Sequence, residues 1–65
     1  MAFQRFPGGQ IGAGVGKEIF RADEDGSPVY EITDGEVLAV EDVLLVEPDV
    51  LTVEATIRLL DELRA

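Results

Sequence analysis

The C-terminal part of the chain shows the clearest pattern of apolar and polar positions. In DVLTVEATIRLLDELRA, residues 49–65, apolar side chains recur at spacings of four, three and three: Val53, Ile57, Leu60 and Leu63. These spacings place the four side chains on one stripe of an α-helix. Thr52 or Asp49 stands where a side chain would cap the first turn. The pattern therefore predicts an amphipathic helix after Pro48.

Further apolar residues widen the surface of this predicted helix. Leu59, together with Val50 or Leu51, extends the apolar area beyond what a small three-stranded sheet can easily cover. One interpretation is that Leu59 and Leu63 contact another protein chain. The other is that they belong to a well-covered core, and the sequence leaves both open.

The middle of the chain has the composition of β-strands. Three runs rich in β-branched or aromatic residues fit short strands: KEIFRA (17–22), PVYEIT (28–33) and EVLAV (36–40). Asp25-Gly26 and Asp34-Gly35 lie between them and favour tight turns. The pattern predicts an antiparallel β-meander, which with the C-terminal helix makes an α+β fold.

The apolar run that follows is interrupted by Glu41 and Asp42. Valines at 43 and 46 favour extended structure, so we expect a kink or bulge at the acid pair and a fourth strand over residues 43–46. A single long helix is the alternative. Neighbouring carboxylates on a strand point to opposite faces, which does not suit paired acid-base catalysis.

The glycine-rich stretch GGQIGAGVGKE, residues 8–18, invites comparison with phosphate-binding loops. A P-loop would need a glycine and a hydroxyl where the chain has Ile11 and Glu18. The dinucleotide-binding pattern would need a glycine in place of Lys17. We therefore predict no nucleotide cofactor.

Residues 1–16 are instead interpreted as an extended, flexible, glycine-rich arm, followed by a small α+β domain at residues 17–65. Alternating glycines and small residues have a high ordering cost and little to bury. The largest apolar side chains of this segment, Phe3, Phe6 and Ile11, are spaced so that an extended chain could place each in a separate pocket of a partner. We predict that the arm docks on a larger protein.

The small size of the chain also favours association with another protein chain. It has 65 residues and contains neither cysteine nor histidine, so disulfides and standard zinc sites cannot stabilise it. Apolar burial in so small a domain barely offsets the ordering cost. Association with a second copy or with a protein partner is then expected. No membrane span or signal peptide is apparent, which predicts a protein that is cytoplasmic or assembled into a particle such as a virion.

Charge is unevenly distributed along the chain, whose net charge is −9. Residues 1–22 contain three basic residues and one acidic residue, whereas residues 23–65 contain thirteen acidic and two basic ones. An acidic body argues against direct nucleic-acid binding.

The DEDG turn does not form a calcium loop, because Arg21 and Ile32 would occupy its first and last ligand positions. No metal site is predicted.

The residues offer little material for catalysis, since histidine and cysteine are absent and the serine and threonine candidates have no base beside them in the sequence. We therefore predict a non-enzymatic structural protein. The order of arm, small sheet and terminal helix resembles that of small accessory subunits of viral shells, which implies docking on a larger assembly. The alternative is an acidic inhibitor that imitates nucleic-acid phosphates and blocks a basic cleft. The scattered placement of the acids favours assembly.

Overall fold

The computed structural model describes residues 1–64. A three-stranded sheet and two helices make up an α+β fold, as predicted. In chain order the elements are β1 (Ala2–Phe3), α1 (Ala13–Glu24), β2 (Tyr30–Thr33), β3 (Glu36–Ala39), two short 3-10 turns (Val43–Leu45 and Glu47–Asp49) and α2 (Val53–Arg64).

The sheet has the order β1-β2-β3 and is mixed. β2 and β3 form the predicted hairpin, with Thr33 opposite Glu36. Asp34 and Gly35 connect them with φ values of 49° and 77°, as in a type I′ turn, whose twist matches that of the flanking strands. β1 pairs with β2 in parallel, Ala2 lying opposite Tyr30. The antiparallel meander is therefore not confirmed as a whole.

The first predicted strand is wrong, because residues 17–22 lie inside helix α1. Helix α1 ends at Glu24, and Gly26 follows it with a φ of 72°. A glycine in this left-handed conformation is common after the C-terminus of a helix. The amide of Gly26 donates to the carbonyl of Asp23, and that of Ser27 donates to Ala22. The turn predicted at Asp25-Gly26 is thus a helix C-cap rather than a hairpin.

Residues 1–12 pack against the rest of the chain, so the flexible arm is not confirmed either. Phe3 and Ile11 are buried in the core, with 4% and 0% of their surface exposed. The amide of Ile11 donates to the carbonyl of Asp49 at 2.9 Å, and the Ile11 carbonyl accepts from Leu51 at 2.8 Å. At the other end, the Tyr30 amide donates to the Met1 carbonyl at 2.9 Å. Backbone bonds therefore hold this segment at both ends.

Residues 43–45 form a 3-10 turn instead of the predicted fourth strand. Asp42 accepts a hydrogen bond from the Leu44 amide at 3.0 Å and caps the turn. Val43 and Val46 are three residues apart, the repeat of a 3-10 helix, and both are buried. The two valines that suggested a strand therefore pack into the core from a 3-10 turn.

Helix α2 begins as the sequence predicted. The Thr52 hydroxyl accepts from the Ala55 amide at 3.1 Å, which satisfies one of the free donors of the first turn. Glu54 and Arg58, one turn apart, form an ion pair at 3.0 Å. The C-terminal amphipathic helix is therefore confirmed.

The core is small and the surface is large for the chain length. Six apolar side chains form the core: Phe3, Ile11, Ile19, Val29, Val43 and Val46. The accessible surface is 4707 Å², whereas a compact monomer of this mass exposes about 4,000 Å². The chain therefore exposes roughly 700 Å² more than its mass requires.

Candidate interaction surface

One face of α2 exposes a continuous row of apolar side chains. It consists of Val53, Ile57, Leu60 and Leu63, which we call the α2 stripe. Their exposure ranges from 36% for Leu60 to 68% for Val53. Because the four residues recur every three or four positions, they line the helix along most of its length. The α2 stripe consists of the four residues whose spacing predicted this helix.

A different face of α2 packs against the body of the protein. Ala55, Thr56 and Leu59 lie on it and are half-buried. The Thr56 hydroxyl accepts a hydrogen bond from the Ala13 amide at 2.9 Å, so α2 satisfies a donor in the first turn of α1. This contact fixes the rotation of α2. The α2 stripe is left outside because the packed face is narrower than the apolar surface of the helix.

Charged side chains of both signs border the α2 stripe. Glu54 and Asp61 are exposed beside Ile57, and Arg64 is exposed one turn after Leu60, at the C-terminal end of the stripe. Arg58 is paired with Glu54, and the two side chains are 70% and 84% exposed. The stripe is therefore an apolar surface with an acidic border beside Ile57 and a basic residue at its C-terminal end.

Arg5 is the centre of a separate polar cluster that ties the N-terminal segment to the body. Its Nε donates to Glu31 at 3.0 Å, and its Nη1 donates to Asp49 at 2.6 Å and to the Gly9 carbonyl at 2.9 Å. The hydrogen bond to Asp49 contributes most to raising the pKa of Arg5; the contacts with Glu31 add to it and partial burial opposes it. Both carboxylates are thus engaged in structural pairs.

Replacing Arg5 with methionine should lower the free energy of unfolding by about 1–2 kcal/mol, since the half-buried Glu31 loses its partner. Because the Arg5 pKa is raised, the guanidinium stays charged up to strongly alkaline pH, and its stabilisation is present throughout the neutral range. Urea unfolding followed by circular dichroism measures the loss.

Arg58→Met is the matched control, because it breaks an equally short ion pair at a fully solvated site. We expect it to change stability by no more than about 0.5 kcal/mol. Equal losses in the two variants would show that the Arg5 cluster contributes no more than an ordinary surface pair.

The structure separates the residues that the sequence grouped as partner contacts. Phe3 and Ile11 are used in the chain's own core, so they could reach a partner only if residues 1–12 detached. Phe6 is half-buried, as is Leu59 on the packed face of α2. Leu63 is 54% exposed and belongs to the α2 stripe.

Sequence reasoning missed other exposed apolar residues. Val37 and Leu38 in β3 and Leu44 and Leu45 in the first 3-10 turn are all largely exposed. In β3 the signal was present, because EVLAV carries apolar residues on both faces of a strand, whereas a half-buried strand alternates. Residues 44 and 45 carried no such signal, since their exposure follows from the unpredicted 3-10 turn.

Within residues 1–64, no group of three or more acidic side chains is placed to hold a metal ion. Neither helix of this part of the chain is long and apolar enough to cross a membrane. The chain matches no protein-family model, no curated protein and no solved structure.

Proposed function

We propose that this chain is a non-enzymatic assembly subunit that docks on a larger protein assembly, of which a viral shell is one kind, through the α2 stripe. The exposure of Val53, Ile57, Leu60 and Leu63 along one helix face is the observation that supports the proposal. An amphipathic helix presents such a row to a hydrophobic groove of a partner, using anchors spaced three and four residues apart.

Burial of the α2 stripe against a partner would favour binding. Complete burial of an exposed valine, leucine or isoleucine side chain stabilises by about 1.5–3 kcal/mol. The four side chains are already partly covered, so each contributes less than this, yet together they offer several kcal/mol. A few anchors of this kind dominate most protein interfaces.

The border of the stripe defines the chemistry of the partner. Glu54 and Asp61 would face the rim of the partner's groove beside Ile57, which should therefore carry lysine or arginine side chains at that place. The N-terminal segment has a supporting role in this proposal. It holds the chain just before α2 through the Ile11 carbonyl, which accepts from the Leu51 amide, instead of reaching out to the partner itself.

Site-specific photo-crosslinking tests the proposal. A photoreactive amino acid at position 57, in the source cells or particles, should give one discrete adduct with a partner protein, because Ile57 lies in the middle of the stripe. The same amino acid at position 58, on the polar face of the same turn, is the matched control. Mass spectrometry of the adduct identifies the partner.

Substitution provides the second half of the test. The double variant Ile57→Gln/Leu60→Gln should abolish the adduct formed from position 53, while Arg58→Gln/Glu62→Gln, at exposed sites on the opposite face of α2, should leave it unchanged. Circular dichroism verifies that both variants are folded. Equal adducts from positions 57 and 58, or an adduct that survives the apolar double change, would contradict docking through the α2 stripe.

A further inference from the structure

We propose that β3 pairs antiparallel with β3 of a second copy of this chain, which joins the two sheets into one of six strands. This surface is separate from the α2 stripe and does not depend on the function proposed for it. The inference rests on the free edge of β3, on the side chains that it exposes and on the charge pattern along the strand.

The outer edge of β3 has no neighbouring strand within residues 1–64. In an antiparallel ladder, alternate residues turn their N–H and C=O groups towards the partner strand. The Val40 amide donates to the Val29 carbonyl at 2.8 Å, so the even-numbered residues of this strand face β2. The N–H and C=O groups of Val37 and Ala39 therefore point outward, where another strand can bind them.

The exposed edge lacks the features that usually prevent strand pairing. Natural edge strands are protected by lysine, proline, bulges or a covering segment. β3 reads Glu36-Val37-Leu38-Ala39, with its one charge at the first position. Val37 is 63% exposed and Leu38 is 48% exposed, on opposite faces of the strand. The strand thus offers apolar side chains on both faces of a continued sheet.

Backbone pairing selects one register. A two-fold axis at Leu38 places Leu38 opposite its own copy and Val37 opposite Ala39 of the second copy. Four backbone hydrogen bonds then form between residues 37 and 39 of the two chains. An axis at Val37 or at Ala39 would pair only that residue with its copy and give two such bonds between the strands. In the register on Leu38, Glu36 lies opposite Val40, so no two acids face each other.

The sequence of β3 makes a second copy a fitting occupant. Val37, Leu38 and Ala39 are uncharged, so the strand can pair with its own copy without placing like charges opposite each other. The net charge of −9 on each copy opposes association. Dimerisation should therefore strengthen as salt rises from about 0.01 M to about 1 M, over which the Debye length falls from about 30 Å to about 3 Å.

Sedimentation equilibrium at several concentrations tests the pairing. We expect a reversible equilibrium between the 7.0 kDa chain and its dimer.

Leu38→Lys should raise the dissociation constant at least about tenfold, because a lysine would then face its copy on the axis. Ala39→Pro should do the same by removing an outward N–H, while leaving the ladder to β2 intact. Leu45→Lys, an equal change at an exposed leucine away from β3, is the control and should dimerise normally.

Introduced cysteines test the register, since the chain has none of its own. Leu38→Cys should oxidise to a covalent dimer, because directly opposed residues in a pair without hydrogen bonds have Cα atoms about 4.5 Å apart. Val37→Cys should not, because the two sulfur-bearing residues would be diagonal, at about 8 Å.

Several outcomes would overturn the proposal. One is a mass of 7.0 kDa at every concentration and salt. Another is a dimer that withstands both Leu38→Lys and Ala39→Pro but is lost with Ile57→Gln, which would assign self-association to the α2 stripe. A third is rapid disulfide formation by Val37→Cys and none by Leu38→Cys, which would exclude the register on Leu38.

Discussion

Replacing Ile11 with alanine should remove a large share of the free energy of unfolding. Ile11 has no exposed surface, and its backbone bonds to Asp49 and Leu51 fix it between the two ends of the fold. Truncating a buried isoleucine to alanine costs about 2–5 kcal/mol, because contacts are lost and a cavity remains. A domain of this length has a total stability of about 3–10 kcal/mol. Urea unfolding monitored by circular dichroism measures the loss.

Ile57→Ala is the matched control for this experiment. The same atoms are removed, but from a side chain that is 56% exposed in the α2 stripe. We expect its stability to stay within about 0.5 kcal/mol of the unmodified chain. If Ile11→Ala lowered the free energy of unfolding no more than Ile57→Ala does, the burial of Ile11 would contribute little to stability. Residues 1–12 would then be a loosely attached arm.

Two glycines of α1 should respond in opposite directions to alanine. A Cβ atom added at Gly16 would overlap Val50 Cγ1 and lie 3.0 Å from Val50 Cγ2. Such overpacking costs about 1–3 kcal/mol, which exceeds the helix-propensity gain. A Cβ at Gly14 meets nothing within 4 Å, so Gly14→Ala should stabilise by about 0.4–1 kcal/mol. Thermal and urea unfolding of the two variants measure the difference.

A second substitution at the contact completes this test. Val50→Ala removes both γ-methyl groups and makes room for a Cβ at Gly16. The double variant Gly16→Ala/Val50→Ala should therefore be more stable than the sum of its single changes predicts. If the changes in the free energy of unfolding were strictly additive, residues 16 and 50 would not be in contact in solution. That result would contradict the close packing of α1 against Val50.

The elements that could be predicted from the sequence are those with local signals. Helix α2 follows from its apolar period and its Thr52 cap, and the β2–β3 hairpin follows from Asp34-Gly35 between β-branched runs. Helix α1 was missed because glycine has low helix propensity. Position 16 is a glycine because a Cβ atom there would overlap Val50. Val50 lies 34 positions further along the chain, so the local sequence pattern does not indicate this contact.

The candidate surface was predictable in part for the same reason. The apolar period identified the α2 stripe, but which of the apolar residues pack inward depends on the bond between Ala13 and Thr56. Phe3 and Ile11 were predicted to anchor the N-terminal segment in pockets of a partner protein. Their pockets, however, lie in this chain's own core, and a two-residue strand such as β1 has no recognisable pattern.

The contacts of the N-terminal segment also determine the order in which the fold can form. Arg5 pairs with Asp49, 44 positions away, whereas α1 and the β2–β3 hairpin need only near neighbours. Closing long loops costs entropy before it gives any contact energy, so local elements form first. On a ribosome, residues 1–12 emerge before residues 49–51, to which Ile11 is hydrogen-bonded. This segment therefore cannot complete its contacts until about 40 further residues have been synthesised.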